Sequence, residues 1–360
     1  MKVENIRIEL TDQPNDKPDW NNLQFGRTFT DHMFVMDYTP ENGWHDARII
    51  PYGDLPMSPA SSVLHYGQTV FEGLKAYRDR EGNVSMFRPD QNMKRMNDSN
   101  ERLCMPAFDG DFVIEAMKVL IDVDREWVPD VEGTALYIRP VLFATSPNLG
   151  VDPSANYRMI IMMSPVGAYY EGGINPVKIA VESHYVRAVK GGTGAAKTAG
   201  NYASSLKAQQ EAEKKGYEQV LWLDGREHRY VEEVGAMNVF FKIDGEIVTP
   251  ELNGSILPGV TRRSVIELLQ HWGEPVVERR LAMQEIYDAA QEGKLEEAFG
   301  TGTAAVISPI GELYWNEEQM IINEGKIGSL SQKIYDTITG IQSGEVEDPF
   351  GWRVDVPKRG

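Results

Sequence analysis

The segment from Gly191 to Tyr202, GGTGAAKTAGNY, sets a single lysine, Lys197, among four glycines, three alanines and two threonines, with Tyr202 five residues on. Side chains this small let a ligand press against backbone. A lysine amine attacks an aldehyde in its neutral form. Two later stretches share this character. EEVGAMNVFF puts Glu233 at the edge of an apolar run, and GTGTAAVISP (Gly300 to Pro309) joins small residues to the hydroxyls of Thr301 and Thr303. Amine, carboxylate and hydroxyl-lined loop are the groups pyridoxal phosphate chemistry needs. The amine meets the aldehyde, the carboxylate keeps the ring nitrogen protonated, and the loop donates to the phosphate.

The elements that must position these groups are legible in outline. ALYIRPVLFAT (Ala135 to Thr145) and YRMIIMMSP (Tyr157 to Pro165) are rich in branched and aromatic residues and predict buried strands. FVIEAMKVLIDVDREW spaces Ile114, Met117, Leu120 and Ile121 at helical intervals, so residues 112–127 predict an amphipathic helix. VGAYYEGGINP, with its glycines and proline, is the best linker, which divides the chain into a small N-terminal α+β domain over 1–165, a loop over 166–176 and a large C-terminal α+β domain over 177–360 that carries Lys197. In the second part VKIAVES and EQVLWLD predict strands and residues 203–216 a helix stopped by glycine. ILPGVTRRSVIELLQHWG predicts a helix opening near Val260, whose first free N–H groups suit a phosphate. A last helix is expected over 330–342, with the tail DPFGWRVDV irregular. Strands and helices without strict alternation favour α+β.

Composition bounds the rest. With 360 residues, 41% hydrophobic and 25% charged, the chain has the profile of an ordinary soluble protein with ample core. Its net charge of −18 argues against nucleic acid and anionic membrane as partners. No apolar run is long enough to span a bilayer, and the N-terminus lacks a signal peptide's apolar core, so the cytoplasm is expected. Cys104 is the only cysteine, which excludes an intramolecular disulfide and a cysteine zinc cluster. The six histidines lack ligand spacing, so no metal is expected.

Nine blocks in order carry a resemblance: FGRTFTDHMF, LHYGQTVFEGLKAYR, MFRPDQNMKRM, LYIRPVLFATSPNLGV, the stretch around Lys197, EQVLWLDG, EEVGAMNVFF, LPGVTR and GTGTAAVISP. Nearly end to end, the chain resembles the branched-chain amino-acid aminotransferases of the pyridoxal-phosphate fold type IV. The resemblance implies a two-domain α+β subunit with the cofactor between the domains, in a homodimer. It implies that Lys197 forms the internal aldimine, that Glu233 holds the pyridine nitrogen, that Arg88 binds the phosphate and that Tyr202 bonds the phenolic oxygen. Val260, Thr261, Thr301 and Thr303 complete the cofactor cradle by the same comparison. Phe25, Tyr66, Phe71, Tyr137, Tyr169 and Ala304 fall at substrate-pocket positions, with Arg139 near the carboxylate path. Leu149 and Val151 match a loop that reaches the partner subunit's site. The implied reaction exchanges the amino group of L-leucine, L-isoleucine or L-valine with 2-oxoglutarate by a ping-pong mechanism.

Two departures stand out. Eukaryotic members often carry threonine where this chain has Ala236, and a Cys-x-x-Cys pair where it has Ala305 and Ser308. No thiol switch is possible there. Rival readings are weaker. GGTGAAKT nearly fits the nucleotide pattern G-x-x-x-x-G-K-[ST], but Ala196 stands where the second glycine belongs. D-amino-acid aminotransferases and aminodeoxychorismate lyases resemble the lysine and glutamate region, while the N-terminal blocks match the branched-chain enzymes better. A non-catalytic binding module is disfavoured by the intact lysine, glutamate and arginine.

Overall fold

The computed structural model describes residues 2–167 and 174–359. The chain divides into two compact units, Met1–Tyr169 with Ala196–Ala199 and Gly340–Gly360, and Tyr170–Ala195 with Gly200–Thr339.

In the first unit, strands β1 (Arg7–Ile8), β2 (His32–Thr39), β3 (Gly43–Pro51), β4 (Thr69–Phe71), β5 (Leu74–Arg78), β6 (Val84–Phe87), β7 (Ala135–Ala144) and β8 (Tyr157–Val166) form one sheet, completed by the C-terminal strand Arg353–Asp355. Its order is β1-β3-β2-β8-β7-β5-β6 and then the C-terminal strand, with β4 also on β7. All neighbours run antiparallel except β1 on β3. Helices α1 (Ser62–Tyr66), α2 (Pro89–Arg102) and α3 (Gly110–Val123) belong to this unit. Phe34, Leu136, Ile138 and Ile161 of the sheet share a core with Met93 and Met96 of α2 and Met117 and Leu120 of α3. The helical spacing of the apolar residues in α3 is what buries one of its faces, and Asp109 caps it by accepting the Phe112 N–H.

The second unit holds β9 (Val177–Glu182), β10 (Gln219–Leu223), β11 (Val231–Val234), β12 (Asn238–Ile243), β13 (Glu246–Pro250), β14 (Val276–Arg279), β15 (Leu295–Gly302), β16 (Val306–Trp315) and β17 (Glu318–Ile321). The sheet order is β11-β10-β9-β16-β15-β12-β13-β14, with β17 also on β16. Parallel pairs (β9 with β10, β9 with β16, β13 with β14) occur beside antiparallel ones, so the sheet is mixed. The helices are α4 (Ala199–Ala203), α5 (Leu206–Lys214), α6 (Val260–His271), α7 (Met283–Gln291) and α8 (Ser329–Ser343).

The fold class is α+β, as the sequence indicates, and the long strands β7 and β8 lie where the apolar runs put them. Four details differ. The helix of residues 112–127 ends at Val123, and a 3-10 turn takes over at Arg125–Trp127. The helix of 203–216 is α5, which starts later, at Leu206, and stops at Lys214, while Ala203 ends the separate helix α4. The tail is a strand, because β6 offers an open edge and Arg353–Asp355 pairs with it. The fourth concerns the division: Ala196–Ala199 and Gly340–Gly360 group with the first unit, which is the longer, rather than the second. Backbone bonding is the reason, since Thr198 pairs with Val70 while Arg353–Asp355 completes the first sheet. The expected loop over 166–176 lies mostly outside the described residues.

Candidate active site

In the first unit Lys197 is gripped through its backbone. Its N–H donates to Ser99 Oγ of α2 at 2.9 Å, and its carbonyl accepts the Phe71 N–H of β4 at 3.1 Å. Thr198 Oγ1 adds a bond to the Thr69 carbonyl at 2.7 Å. The amine lies 4.7 Å above the Phe71 ring, so the backbone bonds fix where the side chain starts. Next to Phe71, Glu72 is wholly buried and meets Arg95 of α2 fork to fork, through Nε at 2.7 Å and Nη2 at 2.8 Å, with Asn92 Nδ2 also at 2.8 Å. Burial pushes the Glu72 carboxyl up, but the charge and hydrogen bonds of Arg95, with help from Lys197, hold it below the usual carboxylate range. The pair ties α2 to β4, the two elements that hold the Lys197 backbone.

Three more of the expected pocket residues, Arg139, Tyr137 and Phe25, join the Phe71 ring in a chain of contacts. The Arg139 guanidinium lies 4.8 Å from it, and Arg139 Nη2 donates to Tyr137 Oη at 3.0 Å. Both sit on one face of β7, two residues apart. Phe25 packs edge-on against Tyr137 at 4.9 Å between ring centroids. A Cβ at Gly73 would lie 2.0 Å from Tyr137 Oη, so a larger residue there would push the Tyr137 ring aside. Arg88 caps α2 just before Pro89 in the left-handed region (φ 49°), with its N–H on the Trp352 carbonyl and its guanidinium 4.9 Å from the Trp352 ring. Tyr66, Leu149 and Val151 form an exposed group, in which Tyr66 Oη donates to the Leu149 carbonyl at 2.5 Å. Tyr169 lies outside the described residues.

In the second unit Glu233 sits on β11, nearly sealed from solvent. Its Oε1 accepts from Asn238 Nδ2 at 3.2 Å and from the Leu257 N–H at 3.3 Å, and its Oε2 is ion-paired with Arg187 Nε. Arg187, Asn201, Tyr202, Glu233, Ala236 and Leu257 line one pocket. Val260 and Thr261 open α6, which has no side-chain cap, so its first N–H groups are open to an anion. Gly259 precedes them because a Cβ there would fall 2.0 Å from Asn238 Oδ1. Thr301 pairs with Asn238 across β15 and β12, and among the described residues its buried hydroxyl has no hydrogen-bond partner. Thr303 and Ala304 follow in the turn to β16.

This donor set fits pyridoxal phosphate: a buried carboxylate beside a tyrosine in one pocket, an uncapped helix start, and an orphaned buried hydroxyl awaiting an acceptor. Among the described residues no cluster of His, Cys, Asp and Glu could hold a metal ion, and no helix is long and apolar enough to cross a membrane.

The sequence reading missed Glu72, Arg95, Ser99, Asn238 and Arg187. A signal existed for α2, where Asn92, Arg95 and Ser99 recur at helical spacing on a buried face. Arg187 gave none, since its role depends on β11 and on the loop before α6.

The family model for amino-transferase class IV matches residues 69–313. The chain is 62% identical to branched-chain-amino-acid aminotransferase 2 of Bacillus subtilis (strain 168), over 99% of this chain and 98% of that protein. Among solved structures it resembles the branched-chain amino acid aminotransferase of Escherichia coli, with a TM-score of 0.77 and 30% identity over 91% of this chain and 99% of that one. It also resembles the branched-chain amino acid aminotransferase of Thermobaculum terrenum in its PLP-form, with a TM-score of 0.74 and 25% identity over 90% of this chain and 98% of that one.

Proposed function

Because the chain belongs to the class IV aminotransferases, among the branched-chain amino-acid aminotransferases, we propose that it exchanges the amino group of L-leucine, L-isoleucine or L-valine with 2-oxoglutarate, using pyridoxal 5′-phosphate in two alternating half-reactions. The observation that carries the reading is the group around Phe71: a backbone-fixed lysine whose amine shares one aromatic ring with Arg139. It sets a base, an apolar wall and a carboxylate-binding cation within reach of one small molecule.

Lys197 would bind the cofactor aldehyde, Glu233 its ring nitrogen and Tyr202 its phenolic oxygen. Arg88, the first turn of α6 at Val260 and Thr261, and the hydroxyls of Thr301 and Thr303 would hold the phosphate, with guanidinium and N–H donors suited to a dianion. When bound, the group supplies an exchangeable carbonyl and an electron-withdrawing ring. Once the substrate amine has displaced it from the aldehyde, Lys197 Nζ would be the base that carries the proton of the substrate Cα, work that needs one mobile amine on a fixed backbone. Phe25, Phe71 and Tyr137 bury the branched side chain, each wall contributing part of the roughly 1.5–3 kcal/mol of full burial. Arg139, steered by Tyr137 Oη, meets a carboxylate. Ala304 would complete this wall, and Tyr66, Leu149 and Val151, exposed in one copy, would serve the site of a second copy in a homodimer. The cytoplasm is the expected setting.

An absorption spectrum before and after L-leucine tests this. The visible cofactor band should move to the near ultraviolet with L-leucine and stay unchanged with D-alanine. A protein that shows no band after pyridoxal phosphate is supplied, or one that answers D-alanine instead, would overturn the reading.

A further inference from the structure

Arg187 has no part in the donor set proposed above, yet it is held at several points in the second unit's pocket. Its side chain is about as buried as that of Glu233 (8% and 3% exposed) and the two form an ion pair. Its Nη2 donates to the Ser255 carbonyl at 2.5 Å and to the Gly194 carbonyl at 3.2 Å. The Gly194 loop packs so closely on Ser255 that a Cβ at Gly194 would lie 2.0 Å from the Ser255 oxygen. Two residues after Ser255, the Leu257 N–H reaches Glu233 from the other side. Glu232, next to Glu233, fastens the same loop through the Ser255 hydroxyl and Asn253. One guanidinium therefore spans the carboxylate and both loops that frame it.

The physical need for it is specific. A carboxylate cut off from water is pushed towards its neutral form, and a facing cation opposes that push more strongly than neutral donors do. A protonated Glu233 could share a hydrogen bond with a pyridine nitrogen but could not pair with a pyridinium. The neutral donors Asn238 and Leu257 N–H both address Oε1, and the guanidinium faces Oε2. Among the described residues, Arg187 is also the only basic side chain lining this pocket.

We propose that Arg187 is a positioning residue for the cofactor's ring nitrogen: it acts through Glu233, holding that carboxylate ionised and fixed so that the nitrogen stays protonated. The inference rests on the assignment of Glu233 made above.

The test measures the affinity of the full chain, stripped of cofactor, for pyridoxal phosphate and for its 1-deaza analogue, which has a C–H in place of the ring nitrogen. Quenching of the protein's own fluorescence reads both, without turnover. The unaltered protein should prefer pyridoxal phosphate by roughly ten- to a hundredfold, the range of a charged hydrogen bond. Glu233→Gln should lose most of that preference. Arg187→Gln, which can still donate to the Ser255 and Gly194 carbonyls, should lose it to within about threefold of no preference, and the double variant should lose no more. Arg187→Lys, which restores charge without the fork, should regain most of it.

If Glu233→Gln keeps the full preference, the assignment of Glu233 fails and this inference with it. If Glu233→Gln loses the preference but Arg187→Gln keeps it, Arg187 only packs the loops, and the inference alone fails. Should Arg187→Gln not fold, Arg187→Lys decides: a retained preference supports the role of charge, and a lost one overturns it.

Discussion

At the scale of single residues, backbone bonds set where the lysine of the proposed site sits. Lys197 is held by bonds from its own N–H and carbonyl, neither of which uses the side chain. Lys197→Ala should therefore stay folded, lose the visible cofactor band and lose turnover by at least about a thousandfold. Circular dichroism with a spectrum and an assay checks all three, and measurable turnover in it would remove the lysine from the chemistry. Lys75 shows the opposite arrangement. It is buried on β5, and desolvation pushes its ammonium down from 10.5 to about 8. The fold then disfavours the charged form, so the penalty is full below pH 8 and fades as pH rises from about 8 to 10.5. Relative to Lys75→Met, the unaltered protein should gain about 2–3 kcal/mol across that window in urea unfolding. An unchanging difference between the two would show that Lys75 is solvated.

At the scale of elements, the lysine's grip depends on α2 and β4 keeping their spacing, and Glu72 with Arg95 sets it. Removing one member of a buried pair strands the other charge. Glu72→Ala should cost about 3–5 kcal/mol of stability, and replacing both by apolar residues of similar volume should cost clearly less. A double-mutant cycle in denaturant measures this, and additive losses would mean that the pair is not coupled. The same α2 carries Arg88 at its start and Ser99 near its end, so a slip of this helix would move the proposed phosphate donor and the lysine's support together. The tail strand adds a second hold on Arg88 through Trp352.

At the scale of the whole chain, a net charge of −18 means mutual repulsion spread over the surface. Raising sodium chloride from about 10 to about 200 mM, which shortens the screening length below the spacing of many surface charges, should raise Tm by a few degrees. A fall would mean that surface ion pairs outweigh the repulsion. Cys104, the only thiol, is exposed rather than buried as its apolar RLCMP context suggests. It is none of the residues proposed for the site, so peroxide followed by a reductant should leave activity unchanged. A reversible loss would expose a role for that thiol. Much of this protein was decided in its sequence. Small residues around Lys197, apolar runs in β7 and β8, and helical spacing in α3 and α8 are local signals, because periodicity and backbone freedom act over a few residues. Tertiary structure decided the rest. Glu72 and Arg95 are 23 positions apart and Arg187 and Glu233 are 46, and each becomes a pair only when strands and helices bring them together. The strand at Arg353–Asp355 has no strong pattern of its own and exists because β6 leaves an edge to be paired. A local sequence can name the groups that do chemistry, but the field and the frame that make them act come from residues remote in the chain.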